Sequence, residues 1–494
     1  MGLSRQVAIV AAGRVATTTS IFAVNALLAR TWALDDFGVF SAIWILGNTL
    51  APMFLAGIPT ALLYAFPRRA QGEERRDLVW QSTLVLCLSA SLLIVLLWSV
   101  GTLVSGWLSL SVAAHVLVPF LPYVFSVVAA GHVEAALVAS GRPTWQAWLS
   151  LCGALGLVLV ACLAFNMAWS VEDTLLALSV VGLSRCGLGW LLLAAGMGVA
   201  IPSTSGIGSL LRYAGQIGLN DAVGSLSRAV DRMVILGFLG TADLALYHVG
   251  AVEAPVSLIL AAVVTVLVPE ASRLSEAGKT KQIALLFRGA VGRLALVILP
   301  VFCFLFVHAD TVIEVYLPVE FSRATGVFRI FLLALPLRCA VYNPILVGTG
   351  RAHWALYGSL GDLCVNVLLS VALVQWLMAA SPYWALLAPA LATVLATWLQ
   401  VVALLLLLAR SLGQPWRTIL PWGRLSRVFL VSGLAAVASG WLVSDLALSA
   451  MLRLCAALLV FLPLGAGLLR SWCPVDWQEL IGLRRAISGS QAAQ

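Results

Sequence analysis

The chain has 494 residues, of which 62% are hydrophobic and only 10% are charged, whereas a soluble globular domain carries about 25% charged residues. This composition predicts an all-α polytopic membrane protein, and it excludes a separate large soluble domain. The formal net charge of +8 comes mainly from basic residues in short loops between apolar runs, so it indicates membrane topology rather than nucleic-acid binding.

A membrane-spanning helix requires about 20 predominantly apolar residues. About fourteen segments meet this requirement, and the first has the character of a retained span rather than a cleaved signal peptide. Their approximate bounds are 7–29, 37–66, 78–101, 114–138, 145–166, 174–200, 211–238, 245–268, 286–307, 325–349, 355–378, 385–409, 428–443 and 449–470. The thirteenth segment is the shortest.

The loops between these predicted helices differ in charge. The loops after helices 2, 8 and 12 and the C-terminal tail are basic, with Arg68, Arg69, Arg75, Arg76, Arg273, Lys279, Lys281, Arg410, Arg417, Arg424, Arg427, Arg484 and Arg485. Loops on the other side carry Asp35, Asp36, Glu172, Asp173, Asp243, Asp310, Glu314 and Glu320. Because basic loops stay in the cytoplasm, we expect both termini to be cytoplasmic.

One short sequence occurs twice in the chain. Residues 137–151 read LVASGRPTWQAWLSL and residues 346–360 read LVGTGRAHWALYGSL, and each copy turns at Gly-Arg between two apolar helices. The copies are six spans apart, which predicts two pseudo-symmetric six-helix lobes related by an axis along the membrane normal. We expect an N-lobe at 1–203, a C-lobe at 204–410, and helices 13 and 14 with a cytoplasmic tail at 411–494.

Predicted helix 7 carries the densest set of polar residues. Asp221, Ser225, Arg228 and Arg232 follow i, i+4, i+7 and i+11 and therefore share one narrow stripe, and Asp231 is spaced to pair with Arg228. A charge in a span costs about 2.5–3.5 kcal/mol, so the stripe requires an explanation. It either lines a substrate cavity or forms an internal ion pair that fastens helices together.

Three other helices add candidate cavity residues. These are Arg14, Thr18 and Asn25 on helix 1, Arg338 on helix 10, and Asp362 and Asn366 on helix 11. The arginine of helix 1 could instead extend to the cytoplasmic surface, and the helix 11 residues could instead form interhelical hydrogen bonds. Helices 2, 8 and 10 are expected to bend at Pro52, Gly57, Pro59, Pro255, Pro336 and Pro344.

Two segments of the chain resemble a known transporter family. Residues 27–66 contain an apolar-Ala-Arg step, an acidic pair and Phe-Gly, and residues 211–270 contain Asp231-Arg232 and end in Pro269-Glu270. They are similar to the polysaccharide flippases of the multidrug/oligosaccharidyl-lipid/polysaccharide (MOP) superfamily. The resemblance implies two six-helix lobes plus two helices, and a central cavity that opens alternately on the two membrane faces. It also implies an undecaprenyl-pyrophosphate-linked oligosaccharide as the substrate.

The same resemblance implies a transporter rather than an enzyme, located in the bacterial inner membrane. The expected partners are membrane lipids and a polysaccharide polymerase or export machinery, with protons or Na⁺ as coupling ions. Arginine matches a pyrophosphate by two-point contacts. The alternatives are a lipid II flippase, a MATE-type drug exporter or, from another class, a membrane-embedded polysaccharide polymerase or ligase. The nine cysteines lack metal-ligand spacing, so we expect no metal or other cofactor.

Overall fold

A computed structural model of the chain describes residues 3–70, 72–104, 116–203, 207–251, 257–444, 446–472, 474 and 478. All regular secondary structure in these residues is helical. The helices that begin before residue 247 are α1 (Leu3–Thr31), α2 (Leu34–Leu55), α3 (Ile58–Ala65), α4 (Glu73–Val104), α5 (Leu121–Ala129), α6 (Val133–Ala139), α7 (Pro143–Met167), α8 (Val171–Met197), α9 (Ile207–Phe238) and α10 (Thr241–Gly250).

The later part of the chain continues the same helical pattern. Its helices are α11 (Ser257–Glu276), α12 (Thr280–Val307), α13 (Ala309–Tyr316), α14 (Ala324–Leu332), α15 (Tyr342–Gly348), α16 (Ala352–Met378), α17 (Pro382–Ser411), α18 (Trp416–Ile419), α19 (Trp422–Ser444) and α20 (Ala450–Trp472). The predicted thirteenth span, expected to be short, is a full helix of 23 residues in α19.

Within the described residues, eleven helical segments are long and apolar enough to cross a membrane. They correspond to all the predicted spans except the first, seventh and eighth. At those three places the chain forms α1, α9, and α10 followed by α11. The all-α membrane fold is therefore confirmed, and the count of fourteen spans stays a prediction.

Predicted helices 2 and 10 are both interrupted. Ala56 and Gly57 have φ angles of 48° and 71°, and because this left-handed conformation cannot continue a right-handed helix, α2 ends before them and α3 begins after them. In helix 10, a 3₁₀ turn that contains Pro336 separates α14 from α15. The predicted bend at Pro255 lies outside the described residues.

The two copies of the repeated sequence have the same backbone structure. The N–H of Arg142 donates to the carbonyl of Leu137 (2.9 Å), and the N–H of Arg351 donates to that of Leu346 (2.7 Å). Gly141 and Gly350, which precede the two arginines, have φ angles of 77° and 74°. Each copy thus ends its helix with a Schellman motif, which requires a residue in the left-handed conformation.

The side chains of the repeat are also arranged alike. The Arg142 guanidinium lies 4.7 Å from the ring centre of Trp145, and that of Arg351 lies 5.3 Å from the ring centre of Trp354. Such cation–π contacts stabilise a turn by roughly 0.5–1 kcal/mol at an exposed site. The duplicated Gly-Arg-x-x-Trp sequence therefore encodes one and the same local structure twice.

The chain divides by packing into two compact units, Met1–Leu246 and Tyr247–Gln494. In the first unit, α1 packs along α7, and α9 packs on α2 and α3. In the second unit, α16 packs along α17, and α19 packs on α12 and α20. The sequence repeat predicts different boundaries, at 203/204 and 410/411. Those boundaries divide the chain by its repeat and not by its packing, and they stay a prediction.

Candidate functional site

The candidate stripe on α9 is held at a fixed place in the first unit by contacts with α2 and α3. The Ser225 hydroxyl donates to the backbone carbonyl of Thr49 at 2.8 Å, and Ser225 is only 3% exposed. About two turns earlier, Gly218 packs against the break between α2 and α3, where a Cβ atom would lie 2.5 Å from the carbonyl carbon of Ala56. Ser225 thus holds α9 against α2 and does not face a cavity.

The charged members of the stripe have a different environment. Asp221 and Arg228 are exposed, and Arg232 is half-buried. The Arg228 guanidinium extends back over Gly224, 3.5 Å from the position of a Cβ atom there, and its charge acts on Asp221. Arg232 donates to the carbonyl of Arg228 at 2.9 Å. The two guanidinium groups therefore lie one turn apart on the accessible part of α9.

Asp231, the predicted partner of Arg228, is buried, with only 3% of its surface exposed. Arg228 is exposed, so the two side chains have different surroundings. Asp221, by contrast, is exposed on α9 like Arg228.

The predicted residues of α1 are only partly described. The side chain of Arg14 lies outside the described part of the chain, Thr18 is exposed, and Asn25 is buried. Gly13, next to Arg14, packs against α7, where its Cβ position would be 3.3 Å from Cβ of Ser150. Helix α1 therefore lies against the repeated segment of the first unit.

In the second unit, Asn366 connects two helices. Its side-chain oxygen accepts hydrogen bonds from the hydroxyls of Ser370 (3.0 Å) and Thr393 (3.2 Å), and the residue is 1% exposed. Thr393 belongs to α17, so this cluster fastens α16 to α17. Its oxygens form a buried polar site within the unit.

Arg338 and Asp362 both lie near Tyr342 in the second unit. Both charges act on the hydroxyl of Tyr342, Arg338 is exposed, and Asp362 is half-buried. Asp362 also lines a groove of about 340 Å³ between α16 and α17, together with Trp354, Tyr357 and Gln400. The groove offers aromatic rings, an amide and a carboxylate, which are groups that recognise sugars and polar lipid headgroups.

A polar cluster that joins three helices lies in the first unit, and none of its members is among the predicted cavity residues. Glu134 of α6 forms an ion pair with Arg185 of α8 at 2.5 Å, and it accepts hydrogen bonds from Ser150 (3.1 Å) and Gln146 (3.3 Å) of α7. Gly153 makes room for Arg185, since a Cβ atom there would lie 2.8 Å from the arginine Cδ. The sequence offered two signals for this cluster, the central position of Arg185 in its predicted span and the i, i+4 spacing of Gln146 and Ser150.

In the described residues, no group of three or more His, Cys, Asp or Glu side chains could hold a metal ion. Asp221, Arg228 and Arg232 lie together on α9 of the first unit, and Arg338 and Asp362 both lie near Tyr342 in the second unit.

Comparison with known proteins gives one family and several similar folds. A family model described as "Polysaccharide biosynthesis protein" matches residues 27–325. No curated protein matches the chain. The family match begins at the apolar-Ala-Arg step and continues through the candidate stripe of α9.

Several solved structures have the same fold. The lipid II flippase MurJ in an inward closed conformation has a TM-score of 0.68 at 13% identity, covering 93% of this chain and 99% of that one. An inward-facing MATE family multidrug transporter of the MOP superfamily has a TM-score of 0.65 at 13% identity, covering 80% and 95%. A MOP superfamily transporter from Pyrococcus furiosus has a TM-score of 0.59 at 13% identity, covering 83% and 95%. These matches confirm the MOP-type fold expected from the sequence.

Proposed function

The chain belongs to the polysaccharide biosynthesis protein family, and from this premise we propose that it flips an undecaprenyl-pyrophosphate-linked oligosaccharide across the bacterial inner membrane. The transported saccharide would serve surface polysaccharide synthesis, as exopolysaccharide, O-antigen or capsule. Both termini lie in the cytoplasm in this proposal. A polysaccharide polymerase or the export machinery would take over the product on the outer face.

The pair of arginines on α9 carries this proposal. Arg228 is exposed, and Arg232 is braced one turn away against the carbonyl of Arg228. The helix that presents them is anchored through Ser225 and Gly218, so the guanidinium groups are positioned before a ligand arrives. A planar guanidinium binds two phosphate oxygens at once, and the two groups together match the charge of a pyrophosphate.

Other candidate residues have side chains of the kind that bind a saccharide. Thr18 is an exposed hydroxyl on α1, and Asp362 lines the groove beside Trp354 and Tyr357. Hydroxyls, carboxylates and aromatic rings are suitable partners for a saccharide. No bond of the substrate is made or broken. The protein therefore only binds the substrate and opens its binding site to one side of the membrane and then to the other. With a negative cytoplasm, outward movement of an anion is favoured by about 2.3 kcal/mol per charge per 100 mV.

The alternatives differ in the ligand that the cavity would take. A MATE-type drug exporter for cations would be expected to present carboxylates, whereas the accessible part of α9 presents two arginines beside Asp221. A lipid II flippase would carry the same pyrophosphate on a different saccharide. A polymerase or ligase would need groups that activate a sugar hydroxyl. H⁺ or Na⁺ is the proposed coupling ion.

The test is complementation of a strain that lacks this gene, with surface polysaccharide and membrane protein level measured together. Arg228→Ala should abolish export at normal protein level, and Arg228→Lys should restore little because an ammonium lacks the two-point contact. Arg212→Ala is the matched control, since Arg212 is exposed on the same helix but about 160° away from Arg228.

Two results would count against the proposal. Normal polysaccharide from well-expressed Arg228→Ala and Arg232→Ala would remove α9 from the substrate site. Rescue of a strain depleted of lipid II flippase activity, with no effect on surface polysaccharide, would assign the chain to the lipid II alternative.

A further inference from the structure

A cavity of about 390 Å³ lies in the second unit, and none of the candidate residues above lines it. It is formed where α12 meets α13, by the last two turns of α19, and by the first turn of α20. The basic residues of α12 and α19 lie at the other ends of these two helices. They are Lys279, Lys281, Arg424 and Arg427. The cavity volume falls within the range of small-ligand sites.

The lining of the cavity is amphipathic. Val307, Val437 and Val443 supply apolar surface, whereas His308, Thr311, Ser444 and Arg453 supply polar groups. Trp441 lines the same cavity and is 76% exposed. An exposed tryptophan at the end of an apolar helix is typical of the depth at which lipid headgroups begin.

The structure of the cavity is fixed by a contact between α12 and α19. The imidazole Nε2 of His308 and the hydroxyl of Ser439 are 3.0 Å apart, and both residues are buried. Gly440 lets the helices approach, because a Cβ atom there would lie 3.2 Å from a methyl group of Val307. Burial lowers the pKa of His308, so its ring is neutral near pH 7. The charge at the cavity is therefore carried by Arg453 and its partner.

That partner is Glu314 of α13. The Nη2 group of Arg453 lies 3.1 and 3.2 Å from the two carboxylate oxygens of Glu314, and the carboxylate is more than half exposed. An anionic headgroup that displaced Glu314 from Arg453 would leave the carboxylate unpaired. A headgroup that carries a phosphate and an ammonium can pair with both side chains at once.

We propose that this cavity binds the headgroup of a phospholipid with a phosphate and a primary ammonium, of the phosphatidylethanolamine type. The phosphate pairs with Arg453, the ammonium donates hydrogen bonds to Glu314, and the glycerol end contacts the three valines. The lipid fastens α19 and α20 to α12 and α13. This site is independent of the proposed transport function.

The experiment is native mass spectrometry of the full-length chain, purified in mild detergent, stripped of lipid and titrated with synthetic lipids of identical acyl chains. We expect phosphatidylethanolamine to bind at least about tenfold more tightly than phosphatidylglycerol, which lacks the ammonium, or phosphatidylcholine, whose ammonium has no N–H donor. Equal binding of the three lipids, or a preference for either of the other two, would overturn the proposal.

Variants locate the binding within the chain. Gly440→Leu should fill the cavity, and Arg453→Gln and Glu314→Gln should each remove the preference for phosphatidylethanolamine. The matched controls are Gly433→Leu, a glycine of α19 whose Cβ position is open, and Arg329→Gln, which breaks the ion pair with Asp310 outside the cavity. If Gly440→Leu does not fold, Arg453→Gln and Glu314→Gln test whether the lipid binds in this cavity. An unchanged preference in Arg453→Gln and Glu314→Gln would show that the lipid binds elsewhere.

Discussion

At the scale of single residues, the first unit contains a charged pair that depends on four side chains from three helices. Glu134 and Arg185 are 51 residues apart in the chain and meet only because α6 and α8 both pack beside α7. Sequence patterns show which residues share a helix face, but they do not show which faces meet. Glu134 and Arg185 belong to different predicted spans, 114–138 and 174–200, so no spacing within a helix could pair them.

Removal of one charge from this pair should destabilise the protein. Glu134→Gln leaves the Arg185 guanidinium half-buried without its carboxylate, and we expect a loss of about 1–2 kcal/mol in the free energy of unfolding, since the partly exposed pair is screened by solvent. Thermal unfolding of the purified protein in detergent measures the change. The double variant Glu134→Gln/Arg185→Gln should recover part of the loss.

The control for this prediction is the ion pair of Glu270 and Arg273, two residues at the surface. Arg273 binds the carboxylate at 2.5 and 2.9 Å and holds the pKa of Glu270 below its usual value. Because the Arg273 side chain is 70% exposed, whereas that of Arg185 is 39% exposed, Glu270→Gln should leave the unfolding temperature almost unchanged. A larger effect of Glu270→Gln than of Glu134→Gln would contradict the structural importance of the pair in the first unit.

At the scale of helices, the interruptions and turns were the most predictable features. Gly57 and the Gly-Arg pairs mark the positions at which helices end, because these sites require φ angles that glycine adopts without strain. The roles of the polar residues on α9 were less predictable. The i, i+4, i+7, i+11 spacing placed Ser225 beside Asp221 and Arg228, yet Ser225 is buried against α2 while the other two are exposed. Helical spacing does not determine how much of a stripe a neighbouring helix covers.

The crossing of α9 over the break between α2 and α3 predicts opposite effects for two glycines of the same helix. Gly218→Ala would bring a Cβ atom within 2.5 Å of the Ala56 backbone, and we expect it to destabilise the protein by about 1–3 kcal/mol and to reduce transport. Gly237→Ala meets no neighbouring atom and should be neutral or stabilising by up to about 1 kcal/mol. Unfolding in detergent and transport by complementation measure the two effects. Equal effects of the two substitutions would show that the crossing is not close in the working protein.

At the scale of the whole molecule, the distribution of charge predicts the orientation in the membrane. Arg75 and Arg76 at the start of α4, Lys279 and Lys281 at the start of α12, and Arg424 and Arg427 at the start of α19 lie at helix ends expected in the cytoplasm. The fold class follows from composition and spacing because apolar length alone defines a membrane helix. Composition and spacing do not predict that α9 packs with the first unit, since the sequence repeat assigns this helix to the C-lobe.

Labelling with a membrane-impermeant maleimide in intact cells tests this orientation. Ser322→Cys, at an exposed position between α13 and α14, should react, whereas Glu74→Cys and Ser426→Cys, at the basic ends, should react only after the membrane is permeabilised. The cysteines are placed in a variant whose own cysteines are replaced by serine or alanine. Labelling of Ser426→Cys in intact cells would reverse the predicted topology.

The packing of α9 on α2 and α3 also has a consequence for the synthesis of the protein. The first unit extends to Leu246, 43 residues beyond the end of the first predicted lobe at residue 203. At a translation rate of about 5–20 residues per second, those residues take about 2–9 s to synthesise. During that interval, the surface of α2 and α3 on which α9 will pack faces lipid or the insertion machinery. The hydrogen bond from the Ser225 hydroxyl to the Thr49 carbonyl has not yet formed. The first unit therefore matures only after α9, the first helix of the predicted C-lobe, has been synthesised.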